Sequence, residues 1–206
     1  MTPRQHKESK ELQAKKAQEA AEAWHHPLSA PHPRLSSSHR KLKTVLKEMD
    51  SFKLSQKNIP LIIKLVENPN YKTSGLFGGA VDLFTHDCIH VTLGRGLLVK
   101  DEAFVIGYTM GSTKGMKRWK RNLFMFVSKY LYPEGYKFGE EERFVFNMGV
   151  MAGSLCPTDL SQINFKKYLN KQTGTIRKEL KINVDFLKTY YSLEKMSFKS
   201  VESKRL

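Results

Sequence analysis

The sequence predicts an all-α fold: a single helical domain with a metal-binding helix hairpin and flexible basic tails. Three observations carry the fold class. From residue 40 onward apolar residues recur at helical spacing, no sustained two-residue alternation of the strand type occurs, and glycine and proline punctuate the pattern at helix-length intervals. With 206 residues, 40% of them hydrophobic, the chain is long enough for one domain with a core and tails.

Residues 1–39 read as an extension. The first 26 are rich in Ala, Glu, Lys and Gln, which favour a helix but give it little to bury, and "PLSAPHPRLSSSHR" follows as a proline- and serine-rich linker. Residues 40–195 form the helical domain. Its expected helices are 40–52, 59–67 (entered through Asn58 and Pro60), 78–93, 101–112, 116–132, 140–153 and one or two within 159–194. "YPEGYKFG" reads as a turn, and residues 196–206, "SFKSVESKRL" with its preceding Met, as a tail.

A formal charge of +15 and a pI near 9.8 imply attraction to polyanions: nucleic acid, anionic headgroups or phosphorylated ligands. Cys88 and Cys156 are too few for a disulfide framework and fit a reducing compartment. Glu8, Glu11, Glu19 and Glu22 argue against a mitochondrial targeting segment at the start. The apolar runs fall short of the roughly 20 residues a spanning helix needs. The expected location is therefore intracellular, cytoplasmic or at a membrane surface.

The chemistry concentrates in "THDCIHVTLGRGLLVKDEAFV", residues 85–105, which hold the only two histidines beyond residue 40. On a helix His86 and His90 stand one above the other, about 40° apart, with Asp87 about 100° from His86 and Asp82 one turn earlier, placed to orient His86. The remaining surface of that helix is apolar, so these groups are buried and need a partner, and a divalent cation is an efficient one. Gly94 ends the helix, Asp101 can cap the next, and Glu102 then returns across the hairpin as a fourth ligand beside His86, Asp87 and His90. Two imidazoles and two carboxylates favour zinc and admit iron or manganese. The competing reading is that these groups satisfy one another by hydrogen bonds. Gly107 and Gly111, four apart, permit close helix packing if they share a face.

His86, Asp87, His90, Gly94 and Glu102 at this spacing resemble the signature of the fourth Coq family of coenzyme Q (ubiquinone) biosynthesis proteins. The match covers those five positions, and the region 40–195 only in its general helical character. The resemblance implies an all-helical fold with these residues as metal ligands and peripheral membrane association, at the mitochondrial inner membrane in a eukaryote. It also implies a role in making, or organising the making of, a prenylated quinone ring, with oxidative decarboxylation of a ring precursor as the lyase-type activity. The expected partners are then a prenylated aromatic or quinone-like lipid, an anionic membrane surface and a biosynthetic protein complex. The chain departs from the family at Asp101, where glycine is common, and in its basic flanks.

A second feature is "TKGMKRWKRNLFMFVSKYLY", in a stretch with no acid between Glu102 and Glu134. Trp119, Leu123, Phe126 and Tyr130 form a stripe expected to pack inward, with Trp119 at the interface, while Lys117, Arg118, Lys120 and Arg121 face out toward an anionic ligand or membrane. The same cations, with the lysines of "FKKYLNKQTGTIRKELK", support the alternative of a basic nucleic-acid-binding module, which no recognised motif accompanies. A non-catalytic scaffold with a structural metal is the other alternative. Glu140, Glu141 and Glu142 open a helix, where acids suit the dipole, with Glu142 the one best placed to reach a metal. Cys88 faces away from the ligands and belongs to the core. His25, His26, His32 and His39 lie in the extension, where metal binding is adventitious. A phosphohydrolase of the histidine-aspartate type needs a further histidine upstream on a core helix, and none exists.

Overall fold

The computed structural model describes residues 33–50, 81–132 and 136–206, and these form an all-α fold, as the periodicity predicts. Among the described residues the one β-type pairing is an isolated bridge between Lys41 and Gln172. Helix α1 (Leu42–Asp50) buries Leu42, Val45, Leu46 and Met49, an i, i+3, i+4, i+7 stripe, and packs on α2. The expected helix 59–67 lies outside the described residues.

Helix α2 (Leu83–Leu93) starts later than its apolar pattern suggests because Asp82 caps it, accepting from the backbone N–H of Thr85 at 3.0 Å and from its hydroxyl at 2.7 Å. It ends at Gly94, whose φ of 74° is the left-handed conformation that glycine adopts without strain. The carbonyls left over at that end are taken up from elsewhere in the chain. Arg177 donates to Thr92 at 2.8 Å and Val91 at 3.4 Å, and the Tyr191 hydroxyl donates to Leu93 at 2.6 Å. A buried cation at a helix C-terminus also complements the dipole.

Arg177 further donates to the Leu35 carbonyl at 2.9 Å, while Thr173 and Gly174 donate to the carbonyls of Ser37 and Ser38. Residues 33–40, read from composition as the end of a linker, are therefore fastened to the domain.

Helix α3 (Val99–Ser112) and helix α5 (Glu140–Ser154) form the most intimate pair. Gly107 and Gly111 do share a face, and Gly149 and Gly153 answer them from α5. A Cβ at Gly107 would strike the Phe146 carbonyl, and one at Gly153 the Tyr108 carbonyl. In an isolated helix Gly153→Ala would gain about 1 kcal/mol from propensity. Here the backbone clash is expected to reverse the sign and give a net loss of about 1–3 kcal/mol in urea unfolding. A more stable variant would mean that the two backbones do not meet.

Helix α4 (Arg118–Tyr130) corrects the sequence reading. The side chains that it buries are Phe124, Val127 and Ser128; of the expected stripe Leu123 packs partly against the core, Phe126 and Tyr130 are exposed instead of inside, and Trp119 is exposed, as a residue at an interface would be. Phe124 is held by Tyr132, Phe138 and Phe146, with ring centroids 5.5–6.3 Å away. That aromatic cluster, built largely by residues beyond the helix, sets its rotation.

After α5 come two short 3-10 turns, Leu160–Gln162 and Phe165–Tyr168, then α6 (Thr173–Glu179), α7 (Val184–Ser197) and α8 (Val201–Lys204). The last residues, read as a tail, are docked: Arg205 reaches Asp101 at 2.9 Å, and the buried Ser203 donates to Glu194 at 3.1 Å.

Candidate metal centre

The hairpin between α2 and α3 brings His86, His90 and Glu102 together as a group that could hold a metal ion, one ligand atom from each lying within 4.8 Å of the others. His86 Nε2 is 2.9 Å from Glu102 Oε2 and 2.9 Å from His90 Nε2, and His90 Nε2 is 3.3 Å from Glu102 Oε1. The ligand atoms of a tetrahedral zinc, bonded at 2.0–2.1 Å, stand about 3.3 Å apart. The donor atoms need to separate by only a few tenths of an ångström. His90 is fully buried, and the other two side chains are about 15% exposed, so one side of the group faces solvent.

His90 Nδ1 lies 2.6 Å from the Gly96 carbonyl, an acceptor only, so Nδ1 carries the proton. In the neutral imidazole Nε2 then presents its lone pair to the group, the tautomer that a metal ligand needs. With both imidazoles neutral, His86 Nε2 has one proton for two acceptors, His90 Nε2 and the Glu102 carboxylate. A cation satisfies all three donors at once, and an internal hydrogen bond does not.

Burial works against charge on Glu102, but His90 and His86 outweigh it and hold the carboxyl well below the usual carboxylate range. A depressed folded-state pKa stabilises fully above the unfolded value and is lost as pH falls through the folded one. The stability difference between the wild type and Glu102→Gln, read from urea midpoints without metal, should therefore shrink as the pH falls below about 4, through the depressed Glu102 pKa. A difference that grows in acid would contradict the arrangement.

The loop between the histidines and the glutamate is built by residues whose role the sequence reading missed. The sequence predicts the stop at Gly94, but not the roles of the two residues that follow it. Gly94 makes the turn, Arg95 points into the core toward Glu194 and Asp101, and Gly96 supplies the carbonyl that orients His90. Asp101, the departure from the family pattern, accepts from the Leu98 backbone N–H at 3.1 Å and pairs with Arg205. Helix α3 thus starts at Val99 rather than at 101, and Asp101 caps it from inside its first turn. Tyr136, buried in the connection from α4 to α5, has its phenol pushed up to about 12 by burial and, secondarily, by the Glu102 charge. Aromatic residues in a turn segment were the available signal.

The other candidates fall elsewhere. Asp87 is buried on α2 but is not part of the converging group. Asp82, expected to orient His86, is occupied as the helix cap. Glu142 accepts from the Gly139 N–H and Glu141 pairs with Lys100, so this acidic run serves the start of α5, as its position suggests. Cys88 is fully buried in the core, and His39 is exposed. Lys117 and Arg118 are exposed and Lys120 and Arg121 partly so, all on α4 or its N-cap. Among the described residues no helix is long and apolar enough to cross a membrane.

No family model, curated protein or solved structure matches this chain.

Proposed function

We propose that the protein binds one divalent metal through His86, His90 and Glu102 and uses the site on a prenylated aromatic ring of the kind from which coenzyme Q is made. One observation carries the metal half: two imidazole nitrogens and a carboxylate oxygen converge within 4.8 Å of one another, and the Gly96 carbonyl orients one imidazole with its Nε2 toward the group. The ring substrate rests on the resemblance of the hairpin signature.

The donor set suits zinc in a His2Glu arrangement, and equally the two-histidine, one-carboxylate arrangement that binds iron with coordination positions left open. A metal bound there would supply a Lewis acid for a substrate carboxylate or ring oxygen. The protein's own groups divide the remaining tasks. Gly96 fixes the His90 ring, Glu102 stays anionic, and the Tyr136 phenol keeps its proton across the neutral range. Zinc does not change oxidation state, so an oxidative decarboxylation requires the iron form or a separate oxidant.

The test is release of labelled carbon dioxide from a carboxyl-labelled prenylated hydroxybenzoate, in air, by protein loaded with zinc or with ferrous iron. Release that depends on iron supports the decarboxylase reading. Binding of the ring without release supports a presenting role. Neither binding nor release, in protein that holds its metal, removes this substrate class.

A further inference from the structure

The outward face of α4 carries features that the metal centre does not use. Trp119, Phe126 and Tyr130 lie within about 40° of one another round the helix and span about 16 Å along it. They are 49%, 56% and 58% exposed, although burial of each would have been favourable. Phe126 and Tyr130 lean on each other, with centroids 5.0 Å apart and planes tilted by 46°, and form a small aromatic platform edged by the Lys129 ammonium, 5.3 Å from the Tyr130 centroid.

Phe126 and Tyr130 line an open furrow of about 580 Å³ between α4 and α5, with Arg118, Arg121 and Lys129 on the same wall and Arg143 on the other. No carboxylate lines it. No acid among the described residues pairs with Arg118, Arg121 or Arg143, and Lys129 stands 3.7 Å from the exposed Glu140 at one end. Guanidinium groups on both walls form a site for several phosphates, since their forked donors match phosphate oxygens.

We propose that this furrow binds a single strand of nucleic acid, its phosphates on the arginines and its bases against Phe126 and Tyr130. Charge complementarity and shape choose the occupant. Phe126 and Tyr130 line the furrow together with the arginines, and a flat bilayer surface does not enter a concavity, so it leaves the cations inside unpaired. A strand follows the furrow and places its flat faces on the platform. A duplex stacks its bases on one another and offers no such faces.

The experiment uses the whole chain and fluorescence anisotropy of a labelled oligothymidylate or oligouridylate of about 12 nucleotides, a length within known single-strand site sizes. The wild type should bind with strong salt dependence. Arg118→Ala with Arg121→Ala should flatten the log–log salt slope by about two phosphate contacts. Phe126→Ala with Tyr130→Ala should weaken binding at least about tenfold and leave that slope unchanged. All four side chains are at least partly exposed, and circular dichroism verifies the fold of each variant. Parallel titrations with phosphatidylserine vesicles follow the fluorescence of Trp119.

Affinity unchanged in both double variants would place strand binding elsewhere, on the basic extension above all, and overturn the proposal. So would dependence on the arginines without dependence on the aromatics, which is attraction without stacking. Vesicle binding with no strand binding would assign the face to a membrane.

Discussion

Arg95→Ala is expected to lose about 3–5 kcal/mol of folding stability, because it strands the Glu194 carboxylate, which the fold has removed from water, and takes from Asp101 one of its two cations, Arg205 being the other. Arg95 and Glu194 have fully buried side chains 2.5 Å apart, and Asp101, 3% exposed, lies 3.6 Å from the same guanidinium. Burial works against the charge on Arg95, and Tyr191, Glu194 and Asp101 outweigh it, so its pKa is raised and it remains a cation. The guanidinium also lies 4.2 Å from the ring centroids of both Phe104 and Tyr191, a desolvated stacking worth about 2 kcal/mol.

The hydrogen bonding of this cluster is incomplete, since Arg95 Nε and Nη1 find no partner. Charge balance and stacking therefore carry it. Arg95→Met combined with Glu194→Gln should consequently be more stable than Arg95→Met alone, the stranded carboxylate having been removed with its partner. Urea unfolding measures both. A loss below about 1 kcal/mol for Arg95→Ala would mean that the cluster is not the keystone of the hairpin loop.

The second large effect is on metal affinity. His90→Ala and Glu102→Gln are each expected to weaken binding by more than about 100-fold, beyond the 10–100-fold cost of losing a group that merely orients a ligand. Asp87→Asn should change it by less than about tenfold, because that carboxylate is not in the converging group. A separate loss is expected from Arg95, whose neighbour Gly96 fixes the His90 tautomer. That loss should be of the orienting size rather than the ligand size.

The parts legible in the sequence are those set by local helical geometry. The i, i+4 spacing of His86 and His90, the stop at Gly94 and the return at Glu102 are short-range, and the hairpin follows from them. The fold class follows for the same reason. What periodicity cannot give is which of two apolar stripes faces the core. On α4 one stripe holds Trp119, Phe126 and Tyr130 and another Phe124 and Val127, and the choice is made by Tyr132, Phe138 and Phe146, outside the helix. Arg95 was illegible because an arginine between two glycines looks like a solvated loop, and only Glu194, 99 residues on, shows why it is buried. The docked C-terminus was hidden likewise: "ESKRL" is charged, and its arginine is taken by Asp101 across the fold.

The most direct test is a titration of the metal-free 206-residue chain with zinc and with ferrous iron against a chromophoric chelator. The wild type is compared with the double variant His90→Ala, Glu102→Gln. Histidines of the extension bind metal weakly in both proteins and cancel in the comparison. The account predicts one tight ion per wild-type chain and none in the double variant, with both proteins folded by circular dichroism. Equal stoichiometry and affinity in the two would contradict it and leave the group of His86, His90 and Glu102 as a hydrogen-bonded cluster of the core.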